Sequence, residues 1–320
     1  MSKIKVIVVC GPTASGKTTL AVELAKRLLG EVVCADSMQI YRGMDIATAK
    51  PTIDEMQGIP HHIVDFLDPS EPFSVADYVE LAHKVISEVS SRGNLPIICG
   101  GTGLYIDSLT ENIQFQQTVT KTPVRDELKA IAQEKGNAYL LDMLREIDPE
   151  TAERLHENNL ARIIRAIEVY KTTGVTMSEQ IRESKRLGSP YSVCRICLDY
   201  RDRSVLYDRI DRRVDIMLKN GLLKEAKRIL ADYTLMTSRQ AIGYKELAPY
   251  FAGELTLEEC LDNLKRSTRR YAKRQLTWFR RSPDTNWLYP DELGDALVDR
   301  ATEIIEDFLK GDPDEIQKNP

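Results

Sequence analysis

The feature that most constrains this chain is a glycine-rich segment near its start, Gly11-Pro12-Thr13-Ala14-Ser15-Gly16-Lys17-Thr18. An apolar run at residues 4–9 precedes it and predicts a buried strand, and residues 17–29 follow it with the periodicity of an amphipathic helix. A strand, a turn of this spacing and a helix are together typical of a phosphate-binding loop. The segment therefore predicts an α/β fold that places a phosphorylated ligand at the carboxyl edge of a parallel sheet.

The chemistry of this loop suits a diphosphate. Glycines allow successive backbone N–H groups to point at phosphate oxygens, and the positive end of the following helix adds to their attraction. Lys17 supplies a cation, and Thr18 supplies a hydroxyl that can bind Mg²⁺. The loop alone leaves open whether the phosphates are transferred or merely leave.

A second polar position, Asp36, ends the apolar run at residues 32–35, where α/β sheets place their ligands. Three roles fit it: holding Mg²⁺ through water, accepting a proton from an incoming nucleophile, or capping a helix or turn. A further glycine turn at residues 100–103 follows the strand predicted at residues 95–99. Because this turn would open at the same edge of the sheet, the Thr102 hydroxyl is a candidate to bond a substrate amine or phosphate.

The order of the predicted elements indicates two domains. Strands and helices alternate in the first half, and helical patterns replace strands from about residue 110 to 190. Strand character returns at residues 192–198, and helices are predicted at 204–219, 222–232 and 256–280. We therefore expect a core of the phosphate-loop NTPase type formed by residues 1–112 and 191–312, a helical insertion at 113–190 and a flexible tail at 313–320.

Composition excludes several classes of protein. The chain has 320 residues, of which 42% are hydrophobic and 29% charged, which argues against disorder. No apolar run has the length of a membrane span, and the start does not resemble a signal peptide, so we expect a cytoplasmic protein. The six cysteines are expected to be buried thiols because most of them lie in apolar, strand-like stretches. Cys194 and Cys197 have the spacing of a zinc or redox site, but they would point to opposite faces of a strand.

The net charge of −5 is unevenly distributed. Residues 261–281, here called the basic stripe, hold eight Lys or Arg residues against one acid, Asp262, and this predicts a docking face for a polyanion. Residues 201–213 hold five arginines and three aspartates. These either form surface ion pairs, or one of the arginines reaches the diphosphate.

Seven segments form an ordered set along the chain: Gly11 to Thr18, Asp36-Ser37-Met38-Gln39-Ile40-Tyr41-Arg42-Gly43-Met44-Asp45-Ile46, Thr48-Ala49-Lys50-Pro51, Gly100-Gly101-Thr102-Gly103-Leu104-Tyr105, Arg162-Ile163-Ile164-Arg165-Ala166-Ile167-Glu168-Val169-Tyr170, Ala241-Ile242-Gly243-Tyr244-Lys245-Glu246 and Arg269-Arg270-Tyr271-Ala272-Lys273-Arg274-Gln275. With this set the chain resembles bacterial tRNA dimethylallyltransferases over nearly its whole length. The ordered series is far more specific than the phosphate loop alone.

The resemblance implies a prenyltransferase that moves a dimethylallyl group from dimethylallyl diphosphate to N6 of adenine 37 in the anticodon stem-loop of tRNA. It implies that Asp36 is the general base, that Thr102 orients the amine, and that Lys17, the loop and Mg²⁺ at Thr18 hold the leaving diphosphate. Arg213 is the expected diphosphate arginine, and Arg209 is the alternative. We expect a monomer without a membrane or protein partner.

The resemblance also implies contacts with tRNA on the helical insertion and on the basic stripe. The candidates are Asp36, Ser37, Met38, Gln39, Thr102, Arg125, Asn159, Arg162, Gly243, Tyr244, Lys245, Arg270, Lys273, Arg274, Gln275 and Arg280. Tyr271 and Trp278 lie within the stripe and fit either a core or a base-stacking role. Ala47 stands where the family usually has glycine, and residues 159–161 replace a segment that often carries basic residues, which weakens the expectation of a tRNA contact there.

Other classes of function fit parts of the pattern. In a small-molecule kinase, Asp36 would position Mg²⁺ and the insertion would act as a lid, but such an enzyme has no need of the basic stripe. A regulatory GTPase would carry an Asn-Lys-x-Asp segment, which this sequence lacks. An RNA-binding module with a vestigial nucleotide site would not require Lys17, Thr18 and Asp36 together.

Overall fold

The computed structural model describes residues 3–113, 123–232, 234–235 and 238–311. The chain divides into two compact units, and each is treated separately below. The first comprises Met1–Leu109 and Pro190–Pro320, and the second comprises Thr110–Ser189.

The first unit is built on a parallel sheet, and the predicted α/β class is confirmed. Among the described residues its six strands are β1 Ile4–Cys10, β2 Gly30–Cys34, β3 His61–His62, β4 Leu95–Gly100, β5 Tyr191–Leu198 and β6 Thr285–Leu288. They lie in the order β3-β2-β4-β1-β5-β6, and each neighbouring pair is parallel. The central strands β1 and β4 are nearly continuous apolar runs because both faces of such a sheet are covered.

The helices follow the strands in chain order. The first part of the core unit carries α1 Lys17–Leu28, α2 Ile53–Met56, α3 Val75–Ser91 and α4 Gly103–Thr110. The next helices are α5 Pro123–Lys135, α6 Asn137–Ile147, α7 Pro149–Glu153, α8 Leu160–Thr173 and α9 Met177–Leu187. The chain then returns to the core with α10 Arg203–Lys219, α11 Leu222–Ala231, α12 Ala248–Phe251, α13 Leu257–Phe279, α14 Pro290–Leu293 and α15 Leu297–Lys310.

One face of the sheet packs against α1 and α15. The side chains in this layer are apolar and buried: Ile7, Val9, Leu20, Leu24, Ile97, Ile196, Ala301 and Ile305. Helix α3 packs against β2 and β4. It begins at a capping box, in which Ser74 and Asp77 each bond the backbone N–H of the other, so a sequence signal fixes its first turn.

The second unit is helical, as the loss of strand-like runs in its sequence indicates. Its core contains Leu128, Leu140, Leu144, Ile163 and Ile167. Glu168 is fully buried beside them and forms ion pairs with Arg125 at 2.7 Å and Arg165 at 2.9 Å. These pairs compensate the cost of burying its charge.

Across the part of the chain that the structure describes, none of the helices is both long enough and apolar enough to cross a bilayer.

Candidate active site

A cavity of about 780 Å³ opens at the carboxyl edge of the sheet in the first unit. The phosphate-loop residues Thr13 to Thr18 form one wall, and Asp36 to Gln39 form a second. Helix α10 contributes Arg209 and Arg213, and helix α13 contributes Tyr271, Arg274 and Gln275. Elements that are distant in sequence therefore meet at the edge where parallel sheets bind ligands.

Two glycines give the phosphate loop its shape. Gly11 has a φ of 149°, and a Cβ at this position would lie 2.9 Å from the carbonyl oxygen of Leu198. Gly16 has a left-handed φ of 91° and immediately precedes α1. The first backbone N–H groups of a helix have no intrahelical acceptor, so this end of α1 presents donors and a positive dipole to an anion.

Three cationic side chains surround the loop. The ammonium of Lys17 lies 3.3 Å from the carbonyl oxygen of Pro12. Burial lowers the pKa of Lys17, although the nearby Asp36 carboxylate acts in the opposite direction. Arg209 donates to the carbonyl of Ala14 at 2.9 Å, and Arg213 reaches the hydroxyl of Thr13 at 3.4 Å.

The two candidate arginines differ in exposure. Arg209 is exposed, whereas Arg213 is half-buried and burial lowers its pKa. A guanidinium remains protonated even so. Ion pairs, the other alternative for residues 201–213, are formed by Arg201 with Glu292 and by Arg203 with Asp199.

Asp36 and Thr102 lie on adjoining turns. The Asp36 carboxylate accepts the backbone N–H of Met38 at 2.9 Å, which holds the side chain in a turn after β2. The Thr102 hydroxyl oxygen accepts the backbone N–H of Ser37 at 3.0 Å, and the hydroxyl donates to Oγ of Ser37 at 3.4 Å. The Thr102 hydroxyl therefore supports the Asp36 turn, and its contact with a substrate amine stays a prediction.

Gln39 and Gln275 were both candidates for tRNA contact, and both side chains make internal bonds. Gln39 donates to the carbonyl oxygens of Thr48 at 3.1 Å and Ala49 at 3.0 Å. Gln275 is buried, accepts the backbone N–H of Thr13 at 2.8 Å and donates to the carbonyl of Gly101 at 2.9 Å. Its side chain thus joins the two glycine turns and does not face solvent.

The side chain of Tyr244 is also fully buried, and its hydroxyl donates to Glu225 at 2.9 Å. Sequence reasoning missed Glu225, whose carboxylate accepts backbone N–H groups of residues 45–47. A signal was present, because Glu225 occupies a position in the apolar pattern of Leu222, Ala226 and Ile229. A charged residue on the buried face of a helix indicates a specific partner.

The basic stripe divides into paired and exposed side chains. Ion pairs join Lys265 to Asp215, Arg269 to Asp211 and Arg280 to Asp199. The exposed members on α13 include Arg270, Lys273 and Arg274. Trp278 donates its indole N–H to Asp107 at 2.6 Å, whereas Tyr271 lines the cavity.

The remaining candidates for tRNA contact have varied surroundings. Ser37 and Met38 line the cavity, Gly243 is buried beside Ala47, and Lys245 is exposed. In the second unit Arg125 is engaged by Glu168, Asn159 accepts the backbone N–H of His156 at 3.0 Å, and Arg162 is exposed.

All six cysteines are buried free thiols. Cys194 belongs to the apolar layer that contains Ile196 and Leu198, and Cys197 projects to the other face of β5. The two sulfurs of the Cys-x-x-Cys spacing therefore do not converge on one site.

Comparisons with known proteins identify relatives along almost the whole chain. The sequence model described as IPP transferase matches residues 39–282. A tRNA dimethylallyltransferase from Halalkalibacterium halodurans is 48% identical over 318 residues, covering 99% of this chain and 100% of that protein. A tRNA dimethylallyltransferase from Bacillus cytotoxicus is 52% identical over 284 residues, covering 88% and 89%.

Solved structures give the same result. A tRNA isopentenylpyrophosphate transferase from Bacillus halodurans superposes with a TM-score of 0.74 at 44% identity, covering 99% of this chain and 100% of that one. A eukaryotic dimethylallyltransferase, in a study of its action on tRNA, superposes with a TM-score of 0.82 at 30% identity, covering 96% of this chain and 79% of that one.

Proposed function

The chain belongs to the IPP transferase family, and we propose that it transfers a dimethylallyl group from dimethylallyl diphosphate to N6 of adenine 37 in tRNA. One observation carries the proposal: the Asp36 carboxylate and a phosphate loop with three cations line the same cavity. The reaction needs groups that stabilise a diphosphate leaving group and a base for the incoming amine, and the loop and Asp36 can supply these two components.

The loop supports the leaving group. As the allylic carbon–oxygen bond breaks, negative charge grows on the diphosphate. Backbone N–H groups at the start of α1, Lys17 and Arg213 stabilise that charge in place, with no need to reorganise during the reaction. Arg209 lies on the exposed side of the loop and serves as an outer contact.

Asp36 supports the nucleophile. The lone pair of adenine N6 is delocalised into the ring, so the amine becomes nucleophilic only as its proton is accepted. N6 forms a bond to the allylic carbon, the diphosphate departs with the electron pair of the carbon–oxygen bond, and the N6 proton passes to the Asp36 carboxylate. Thr102 acts through Ser37 by holding the turn that carries this carboxylate.

The residues present fit a bound Mg²⁺. This ion takes one or two protein oxygens and completes its octahedral shell with waters and substrate phosphates. Thr18 would supply such an oxygen at the cavity wall, and the Asp36 carboxylate lines the same cavity. When bound, Mg²⁺ would neutralise part of the charge on the diphosphate.

The RNA partner is proposed to be the anticodon stem-loop. The target base must leave its stack to enter the cavity, which costs a few kcal/mol, so a broad set of phosphate contacts has to compensate. Arg270, Lys273 and Arg274 are exposed on α13, which also lines the cavity, and Lys245 adds a further exposed cation. In the second unit we propose Arg162 as the principal contact.

We further propose that the protein acts in the cytoplasm, where its six free, buried cysteines suit a reducing environment.

The test is label transfer. The protein is incubated with Mg²⁺, labelled dimethylallyl diphosphate and an unmodified tRNA transcript, alongside a matched transcript with guanine at position 37. We expect label on the adenine-containing RNA alone and one pyrophosphate released per transfer. Absence of label, with phosphate transfer from ATP to a small molecule, would contradict the proposal and establish the kinase alternative.

A further inference from the structure

Residues 45–49, here called the wall segment, contribute Ala47, Thr48 and Ala49 to the lining of the cavity. We propose that Glu225, braced by Tyr244, is a positioning residue for the diphosphate site, because it fixes the backbone of the wall segment against which Arg213 lies. The inference rests on the proposed function and extends it to side chains that do not touch substrate.

The carboxylate of Glu225 occupies a nest of three successive amides. Its Oε2 accepts the N–H of Asp45 at 2.8 Å and of Ile46 at 2.9 Å, and its Oε1 accepts the N–H of Ala47 at 2.9 Å. Consecutive N–H groups that converge in this way form an anion-binding concavity. The chain fills this concavity with its own carboxylate, so the wall segment is held by charge-assisted bonds.

Tyr244 and Gly243 close the other side of the anchor. The Tyr244 hydroxyl donates to Oε1 of Glu225 at 2.9 Å, and its ring is fully buried. Gly243 has a left-handed φ of 106°, and a Cβ there would lie only 2.7 Å from the Cβ of Ala47. Two consecutive residues of one turn thus fix both the carboxylate and the position of the wall segment.

The far end of the wall segment reaches the catalytic groups. The carbonyl oxygen of Ala49 accepts from Gln39 at 3.0 Å and is approached by the guanidinium of Arg213 at 3.5 Å. Gln39 belongs to the turn that Asp36 begins. Displacement of the wall segment would therefore move the Ala49 carbonyl oxygen, which orients Arg213. It would also disturb Gln39, which belongs to the same turn as the general base Asp36.

The charge of Glu225 is satisfied without a cation. Among the described residues no Lys or Arg forms an ion pair with it, and its bonds go to backbone N–H groups and the Tyr244 hydroxyl. The Glu225 carboxylate therefore holds the wall segment without pairing with Arg209 or Arg213.

The experiment measures binding of inorganic pyrophosphate by calorimetry and the KM for dimethylallyl diphosphate with full-length protein. Glu225→Gln keeps the shape but replaces one acceptor oxygen by a donor. We expect the Kd for pyrophosphate and the KM for dimethylallyl diphosphate to rise about tenfold, the scale for losing a group that orients a binding side chain. Tyr244→Phe, which leaves all three amide bonds, should produce a smaller change in the same direction.

Glu31→Gln is the matched control. Glu31 is similarly buried but bonds His62, Arg92 and Asn94, away from the cavity, so its loss destabilises the fold without moving the wall segment. A pyrophosphate Kd within twofold of wild type in folded Glu225→Gln and in Tyr244→Phe would overturn the inference. An equal rise in Glu31→Gln would also overturn it. If the wild-type protein binds pyrophosphate but labels no RNA, the proposed function fails while the binding comparison still tests the inference.

Discussion

The side-chain oxygen of Gln275 accepts a hydrogen bond from the backbone N–H of Thr13 at 2.8 Å, across 262 positions of sequence. The same amide donates to Gly101. A single buried side chain of α13 therefore connects the phosphate loop to the second glycine turn. Because Lys273 and Arg274 are exposed on the same helix, RNA held by these cations would contact an element that directly braces the diphosphate site.

Gln275→Leu retains most of the volume but removes the hydrogen-bond partner of the half-buried Thr13 N–H and of the buried Gly101 carbonyl. Each orphaned group costs about 1–3 kcal/mol, so we expect the free energy of unfolding to fall by at least about 2 kcal/mol. Urea denaturation measures this loss. Thr277→Ala, at an exposed position of the same helix, is the control and should change stability by less than about 0.5 kcal/mol. Equal stability of the two variants would refute a bracing role.

The two arginines of α10 should contribute unequally. Arg213→Gln removes the half-buried guanidinium between Thr13 and Ala49, and we expect kcat/KM for dimethylallyl diphosphate to fall about 10²-fold, as for loss of one preorganised donor to a developing anion. Arg209→Gln, at the exposed position, should cost clearly less. Steady-state kinetics at saturating tRNA compares them. The reverse order would make Arg209 the principal diphosphate ligand.

Gly243 and Ala47 should be energetically coupled. Gly243→Ala is strained by its φ of 106° and also brings its Cβ to 2.7 Å from that of Ala47, so we expect a loss of stability above about 2 kcal/mol. Ala47→Gly removes the close contact but not the strain, and the double variant should recover part of the loss. Gly253→Ala, with a φ of 74° and no neighbour within 4 Å, reports the strain alone. If the stability changes of Gly243→Ala and Ala47→Gly, measured by thermal unfolding, sum to that of the double variant, the two residues are not coupled through this contact.

Glu31 should make stability depend on acid pH. Burial alone would raise its pKa, but hydrogen bonds from Arg92, Asn94 and His62 outweigh burial and lower the pKa to about 2. A lowered folded-state pKa gives stability that is present above the ordinary value of 4.5 and is lost as the pH falls from there towards 2. Urea titrations should show a steeper loss over this interval in wild type than in Glu31→Gln. If the stability of the two proteins fell equally with pH over this interval, the lowered pKa of Glu31 would be contradicted.

The sequence predicted the elements that local patterns encode. The strand, glycine loop and helix around Lys17 agree with the structure, and α10 and α11 agree within one residue with the helices predicted at 204–219 and 222–232. Strand β6 was not identified, because its four residues Thr285–Leu288 carry no apolar run and depend on pairing with β5 at the edge of the sheet. Helix α9 lies within the insertion that was predicted to be helical, although its own bounds were not predicted.

Prediction of the site was limited by tertiary contacts. Motif spacing located Asp36 and the cations, since the fold brings the strand ends to one edge. It could not show that the side chains of Gln275 and Tyr244 are buried and engaged in internal hydrogen bonds. Thr102 and Glu225 form bonds to residues at least 65 positions away, which no local pattern encodes.

The central claim is that Asp36 accepts a proton from the amine beside a diphosphate held by the loop. Asp36→Asn preserves the size of the side chain and an oxygen for the Met38 N–H but removes the base. Single-turnover label transfer with saturating tRNA and dimethylallyl diphosphate, paired with tRNA affinity, is the direct test. We predict a rate lower by about 10²-fold or more with tRNA affinity within a few-fold of wild type. A near-normal rate, or a loss explained by weaker tRNA binding, would contradict the account.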